Sequence, residues 1–214
     1  MKSSIVSNYR LSYICDVGNI NMRVADMAKA KVLTKDERKR VEKIIAADSN
    51  ATRNMLAFKL NVFGGMRVVE VAALTVGQVR GLDGKAVTVI NLSKEQTKGH
   101  KAPRVFLSDE LQTAVTKFLV ALRNVADDVA LIRSTKTLKH FTPNTLCALF
   151  KSIYRKNGIS TSSHSGRRTF ATVKNANGVG MATIQKLMGH KNIQTTALYC
   201  DVSDEQLANA ANVF

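Results

Sequence analysis

From Thr34 onward, apolar residues in this sequence recur mostly at helical spacing, and the one change of period, to strict alternation, is confined to a short central stretch. That pattern restricts the chain to helices packed on one another around a small sheet. Thr34 followed by Glu37 is a capping box, and it opens a helix through KDERKRVEKIIAA with Val41, Ile44 and Ile45 on one face. A second helix, from about Ala51 to Phe63, places Met55, Leu56, Lys59 and Phe63 within a turn of each other and stops at Gly64-Gly65. Its apolar face is expected to be core. MRVVEVAAL is a short helical pattern; AVTVINL then alternates like a half-buried strand. SKEQTKGHKAPRVFLS fits a hairpin with Gly99 at its turn and Pro103 starting the returning strand, where a missing donor is tolerated. Helical signals resume at Ser108, which caps Leu111, Val115, Phe118, Leu119 and Leu122, and again at Thr142-Pro143, ahead of Leu146, Leu149, Phe150 and Ile153. Asn157-Gly158 ends that helix. Three shorter ones are expected over about 165–176, 181–188 and 192–199. Ser203 with Gln206 then caps a last one, whose apolar residues are Leu207, Ala210, Ala211 and Val213. The expected class is α+β, mainly helical, with a small three-stranded antiparallel sheet.

Residues 1–33 show no sustained period, and NYRLSYICDVGNINMR fits a strand pair, a helix or an ordered arm equally well. They are read as an N-terminal arm or remnant, followed by one domain over 34–214. A chain of 214 residues, 45% hydrophobic, supports one well-covered core and not two. Lysine and arginine number 32 against 16 acidic residues, a formal charge of +16, so a polyanion is the default partner. Membrane-surface binding normally shows as an amphipathic helix with bulky aromatics, and this chain has no Trp. No stretch approaches the roughly 18 apolar residues of a spanning helix, and MKSSIVSNYRLSYICD lacks the apolar core of a signal peptide, so a cytoplasmic location is expected. Cys15, Cys147 and Cys200 are odd in number and lack CxxC spacing, which fits reduced thiols rather than disulfides or zinc. GxxxxGK[ST], GxGxxG and HExxH are all missing, so no ATP, metal or other cofactor is expected.

Cations and imidazoles concentrate in two places, Gly65 to Lys101 and His164 to Tyr199. The second, HSGRRTFATVKNANGVGMATIQKLMGHKNIQTTALY, resembles the terminal motif of the tyrosine recombinase, or phage integrase, family. His164 and Arg167 match that family's His-x-x-Arg, His190 within LMGH its second histidine position, and Tyr199, nine residues on, its nucleophile. GGMRVVEVAALTVGQV resembles the first arginine box, with Arg67 catalytic and Glu70 the acidic residue supporting it. Lys98 in TKGHKAPRVFLS falls where the family carries its strand-turn lysine, with Lys101 the second candidate. The match runs in unbroken order from about Thr34 to Asn212. Ser165-Gly166 departs from the acidic and leucine residues usual there, and Cys200 follows the tyrosine. Longer members also carry a separate helical domain that about 33 residues cannot build.

These residue types suit attack on a phosphodiester, which adds negative charge to the non-bridging oxygens of a five-coordinate transition state. Two guanidinium groups match two phosphate oxygens each, and His164 and His190 offer further donors. A phenol near pKa 10 is a poor nucleophile until positive charge or a base favours losing its proton, and crowded cations are expected to supply that bias. A lysine on a hairpin suits protonation of the leaving 5'-hydroxyl. Taken singly each residue has a bland reading: Arg67 as a helix cap paired to Glu70, the histidines as structural, Tyr199 as core, and the basic runs as solvated faces. Their joint order is what favours catalysis.

The resemblance implies the catalytic-domain fold of that family and a site-specific recombinase acting on double-stranded DNA through a covalent 3'-phosphotyrosine, without cofactors. It is similar to short forms such as fimbrial inversion recombinases and mobile-element integrases. Lys94, Lys101, Arg104, Arg168 and Lys191 are the expected DNA contacts. A homotetramer on DNA is implied, with a partner recombinase or DNA-bending protein as a further option and residues 203–214 docking either in trans or on their own core. A silent DNA-binding accessory factor and a type IB topoisomerase share enough of the pattern to stand as alternatives.

Overall fold

The computed structural model describes residues 30–93, 95–96, 104–123, 125–200, 202 and 204–212. Helix α1 spans Lys35–Ala46 and begins as expected: Thr34 Oγ1 accepts from Glu37 N at 3.2 Å, while Glu37 Oε2 accepts from Thr34 N at 3.0 Å. Helix α2, Ala51–Val62, differs from its expected amphipathicity. Met55, Lys59 and Phe63 are only half-buried, whereas Asn54, Leu56, Ala57, Phe58, Leu60, Asn61 and Val62 are buried. The helix is enclosed on several sides by other helices, so no single stripe of it is the core face.

Short helices α3 (Val68–Ala73) and α4 (Val76–Val79) lead to β1 (Val89–Asn91), which pairs antiparallel with β2 (Arg104–Phe106). Ile90 and Val105 are partners in that register and both point into the core. Three strands were expected; among the described residues the sheet has two, because β2 sits directly against β1, with Leu107 N donating to Thr88 O at 2.9 Å. Glu95 and Gln96 form a turn, and the hairpin tip with Gly99 and Pro103 lies outside the described residues.

The remaining helices are α5 (Asp109–Leu122), α6 (Pro143–Lys156), α7 (His164–Ala176), α8 (Met181–Met188), α9 (Ile193–Ala197) and α10 (Asp204–Ala211). Ser108 and Thr142 cap α5 and α6 through the expected bonds to Leu111 N and Thr145 N. The capping box assigned to Ser203 lies outside the described residues. Helix α9 is shorter than expected: its last turn tightens, Tyr199 N donating to Thr196 O at 2.9 Å, so Tyr199 stands one residue beyond the helical cap rather than in the helix.

Burial divides into two clusters. The larger joins α1 to α6 and the sheet; the smaller comprises Phe170, Ala171, Ile184, Met188, Tyr199 and Cys200. The packed structure also reaches back to Ala30, since Leu33 N donates to Thr169 Oγ1 at 2.8 Å and Lys31 N to Thr161 Oγ1 at 3.2 Å.

The Ser165-Gly166 departure has a packing cause. A Cβ on Gly166 would stand 1.8 Å from Asn61 Oδ1 and 2.6 Å from its Cγ, so α7 approaches α2 closely enough to exclude any side chain. Ser165, fully buried, shares a 2.5 Å hydrogen bond with Thr161. Alanine would gain up to about 1 kcal/mol of helix propensity over glycine, but overpacking typically costs about 1–3 kcal/mol. Gly166→Ala is therefore expected to lower the midpoint of chemical denaturation, and Asn61→Ala in the same chain to restore part of it. A stabilised single variant would show that α7 and α2 have room to spare.

Candidate active site

Asn61 starts the construction of the site. Its Nδ2 donates to Met66 O at 2.8 Å and pins the turn that follows α2. Gly65 makes that turn with φ +61°, and a Cβ there would meet the Phe170 ring at 2.7 Å. Arg67 comes next as the cap of α3, where Glu70 holds it twice: Oε2 accepts from Arg67 N and Oε1 from Arg67 Nη1, both at 2.7 Å. Glu70 is buried, while the Arg67 side chain keeps about a third of its surface open at 36%. A buried carboxylate that grips both ends of one arginine fixes its direction and leaves donors facing outward.

Arg167, three residues after His164 and so one turn along α7, is only 2% exposed. Its Nη1 donates to Gly65 O, and its Nη2 to Met188 O at 3.0 Å and to His190 Nε2 at 2.8 Å. Its Nε has no partner among the described residues. Burial, and next the charge of Arg67, lower its pKa to about 10, which still leaves it charged at neutral pH. The fork expected to face a phosphate is thus partly engaged by the protein itself.

His190 follows Gly189, whose left-handed conformation (φ 60°) turns the chain out of α8. Its backbone is clamped by Gln185, whose O accepts from His190 N and whose Nε2 donates to His190 O, each at 3.1 Å. Burial first, then Arg167 and Arg67, push its pKa down to about 3, so the ring is neutral. Expected as a hydrogen-bond donor to substrate, its Nε2 instead accepts from Arg167, and its Nδ1 lies 2.9 Å from Thr196 Oγ1.

Tyr199 is fully buried in the same chain, its ring 5.6 Å from that of His190. Thr172 Oγ1 donates to its carbonyl at 2.6 Å, tying the turn to α7. The hydroxyl has no well-aligned partner among the described residues. Burial raises its pKa, and the opposing charges of Arg167, Arg67 and Arg168 do not offset this. The cations were expected to favour the phenolate; at rest desolvation outweighs them and the phenol keeps its proton.

Of the expected site, Arg67, Glu70, Arg167, His190 and Tyr199 come together. His164 lies at the first residue of α7, half-buried. Lys94, Lys98 and Lys101 lie outside the described residues. Lys191 is exposed beside His190. Arg104 is exposed on β2, 5.6 Å over the Phe106 ring, and borders a small pocket shared with Glu70 and Arg167. Arg168, expected on DNA, donates through Nη1 to Ala30 O at 2.9 Å and so holds the segment before α1. Asn61, Gln185 and Thr196 were missed, although Thr196, three residues before Tyr199 and six after His190, carried a readable spacing. No group of His, Cys, Asp and Glu among the described residues is arranged to hold a metal ion, and none of their helices is long and apolar enough to cross a membrane.

A family model described as the phage integrase family matches residues 31–206. Tyrosine recombinase XerA of Saccharolobus solfataricus is 29% identical over 169 residues, 79% of this chain and 52% of the relative. A crystal structure of XerA recombinase superposes with a TM-score of 0.68 at 26% identity, covering 84% of this chain and 61% of that one. A Tn1549 transposon integrase solved with circular intermediate DNA shares the fold, with a TM-score of 0.67 at 18% identity over 86% of this chain and 65% of that one. The chain spans only about half to three fifths of such curated relatives, 52% and 60% for two of them.

Proposed function

This chain belongs to the phage integrase family, and on that premise we propose that it is a site-specific recombinase, cutting and rejoining double-stranded DNA with Tyr199 as nucleophile. The observation that carries the reading is the placement of the Tyr199 hydroxyl: buried, without a well-aligned hydrogen bond among the described residues, and close enough to Arg167 and Arg67 to feel both charges. A buried hydroxyl left without a partner is costly, and a nucleophile is a reason to keep one.

In the proposed reaction Arg67 and Arg167 bind the scissile phosphate, neutralising charge that grows as the phenolic oxygen attacks phosphorus. Attack forms the tyrosine–phosphate bond as the phenolic proton passes to solvent or to a phosphate oxygen, and breaks the bond to the 5'-oxygen, which leaves as a hydroxyl after taking a proton. Lys98 is the proposed donor of that proton. His164, on the same helix as Arg167, is assigned to the phosphate as well. Because the 3'-phosphotyrosine conserves the energy of the broken bond, a second 5'-hydroxyl can reverse the step, and no ATP or metal enters. The protonated resting phenol fits a nucleophile that becomes active only once substrate has assembled the site.

Double-stranded DNA is the proposed substrate, in keeping with the charge of +16 and with the DNA named in the solved integrase complex. Lys94, Lys101, Arg104, Arg168 and Lys191 remain the proposed DNA contacts, with Nη1 of Arg168 also fastening Ala30. Helix α10 presents Leu207 with 59% of its surface open, near Leu198 and Val202 in sequence, also exposed. We assign this face to docking in trans within a tetramer on DNA.

The test is a suicide substrate nicked beside the cleavage site, so that a short 5'-hydroxyl fragment diffuses away after cleavage. Covalent protein–DNA adducts that survive denaturation and map to Tyr199 are expected with EDTA present and without nucleotides. If no site drawn from the gene's flanking repeats ever becomes attached, the enzyme reading fails. Strand exchange between two sites separates recombination from plain relaxation of any supercoiled plasmid.

A further inference from the structure

The two ring nitrogens of His190 face different partners, and only one placement of its proton satisfies both. Nε2 lies 2.8 Å from Nη2 of Arg167, and a guanidinium has donors but no acceptor, so Nε2 must present its lone pair. The neutral ring therefore carries its proton on Nδ1, 2.9 Å from Thr196 Oγ1, where it donates. Thr196 is fully buried and belongs to α9, the helix that leads directly into Tyr199. A single hydroxyl thus links the histidine, the buried arginine behind it and the segment bearing the tyrosine.

We propose that Thr196 is a positioning residue for strand cleavage: its hydroxyl fixes the tautomer and plane of His190, and through Nε2 the ring holds the guanidinium of Arg167 in place. Without that acceptor, an Nδ1–H would be buried and unpaired. The ring would then exchange its proton to Nε2, where the hydrogen would point at a cation that itself has only hydrogens to offer. Arg167 would lose one of its three partners, and α9 its tie to the histidine. The kinetic part of this inference rests on the recombinase reading; the tautomer does not.

The experiment compares the full chain with Thr196→Val, which keeps the shape and removes the acceptor, and Thr196→Ser, which keeps the hydroxyl. Nitrogen-15 spectra of histidine-labelled, DNA-free protein should show His190 protonated at Nδ1 in wild type and in Thr196→Ser, and as a mixture of tautomers in Thr196→Val. Single-turnover cleavage of the nicked substrate should fall roughly 10- to 100-fold in the valine variant and recover with serine. DNA affinity should change far less than the cleavage rate, since Arg167 serves one phosphate among the several that hold the duplex. A wild-type ring protonated at Nε2 overturns the proposal whatever the variants do, and it is readable even if no substrate is cleaved or the valine variant does not fold. Serine as impaired as valine would also overturn it, by showing that shape and not the hydroxyl matters.

Discussion

Replacing Tyr199 by phenylalanine is expected to abolish covalent attachment to DNA while leaving the protein at least as stable as wild type. The two effects follow from the same atom. The hydroxyl is the proposed nucleophile, and among the described residues it has no well-aligned hydrogen bond, only the approach of the Arg167 guanidinium. A buried polar group without a partner costs about 1–3 kcal/mol, so its removal relieves a penalty and leaves the ring's packing against His190 intact. Phenylalanine also ends the competition between burial, which holds the phenol protonated, and the three arginines that pull the other way. Denaturant unfolding and the covalent capture assay measure the two halves independently. A variant that still became attached would move the nucleophile elsewhere; a variant with a clearly lower denaturation midpoint would mean that the hydroxyl is well bonded after all.

Arg167→Ala should behave oppositely and lose both properties at once. Gly65 O, Met188 O and His190 Nε2 all receive hydrogens from this one guanidinium and would be left in a buried space without it. Each buried acceptor left unsatisfied typically costs about 1–3 kcal/mol, so losing their common donor removes a large part of the roughly 5–15 kcal/mol that holds a domain folded. Loss of one charge-stabilising donor at a reacting centre typically slows chemistry by roughly 10²–10³. Lysine is not expected to substitute, because one ammonium cannot reach three acceptors that a planar fork spans. Near wild-type stability in the alanine variant would show that water takes over these carbonyls, and that the guanidinium is less deeply set than its 2% exposure indicates.

The contrast separates two kinds of site residue. In the proposed reaction Tyr199 and the outward-facing Arg67 donors serve the scissile phosphate. Arg167 is also part of what holds the fold, joining the turn after α2 to the end of α8. Glu70 and Asn61 belong with it: one carboxylate orients Arg67, and one amide pins Met66 just before it. Gly166 is the other side of the same arrangement, since its missing side chain makes room for Asn61.

Local signals were legible wherever neighbours in sequence settle the outcome. Capping at Thr34, Ser108 and Thr142 depends on residues three positions apart, and all three caps form. The order of Arg67, the His164–Arg167 pair, His190 and Tyr199 was likewise visible, through its resemblance to the motifs of the phage integrase family. Lys98, assigned on the same resemblance, lies outside the described residues. Less legible was anything decided by enclosure. The burial of α2 on several sides, the two-stranded ladder, and the use of Arg168 to hold Ala30 all depend on elements far away in the chain.

By itself, then, the sequence determined the helical character of the chain, its caps and the identity of the groups that gather around Tyr199. Only the tertiary structure decided their states: Tyr199 protonated, His190 neutral with its proton toward Thr196, Arg167 charged but already partly engaged. The reason is that protonation and hydrogen-bond direction answer to desolvation and to the field of distant charges. Both are set by what packs around a group, and a linear order of residues carries neither.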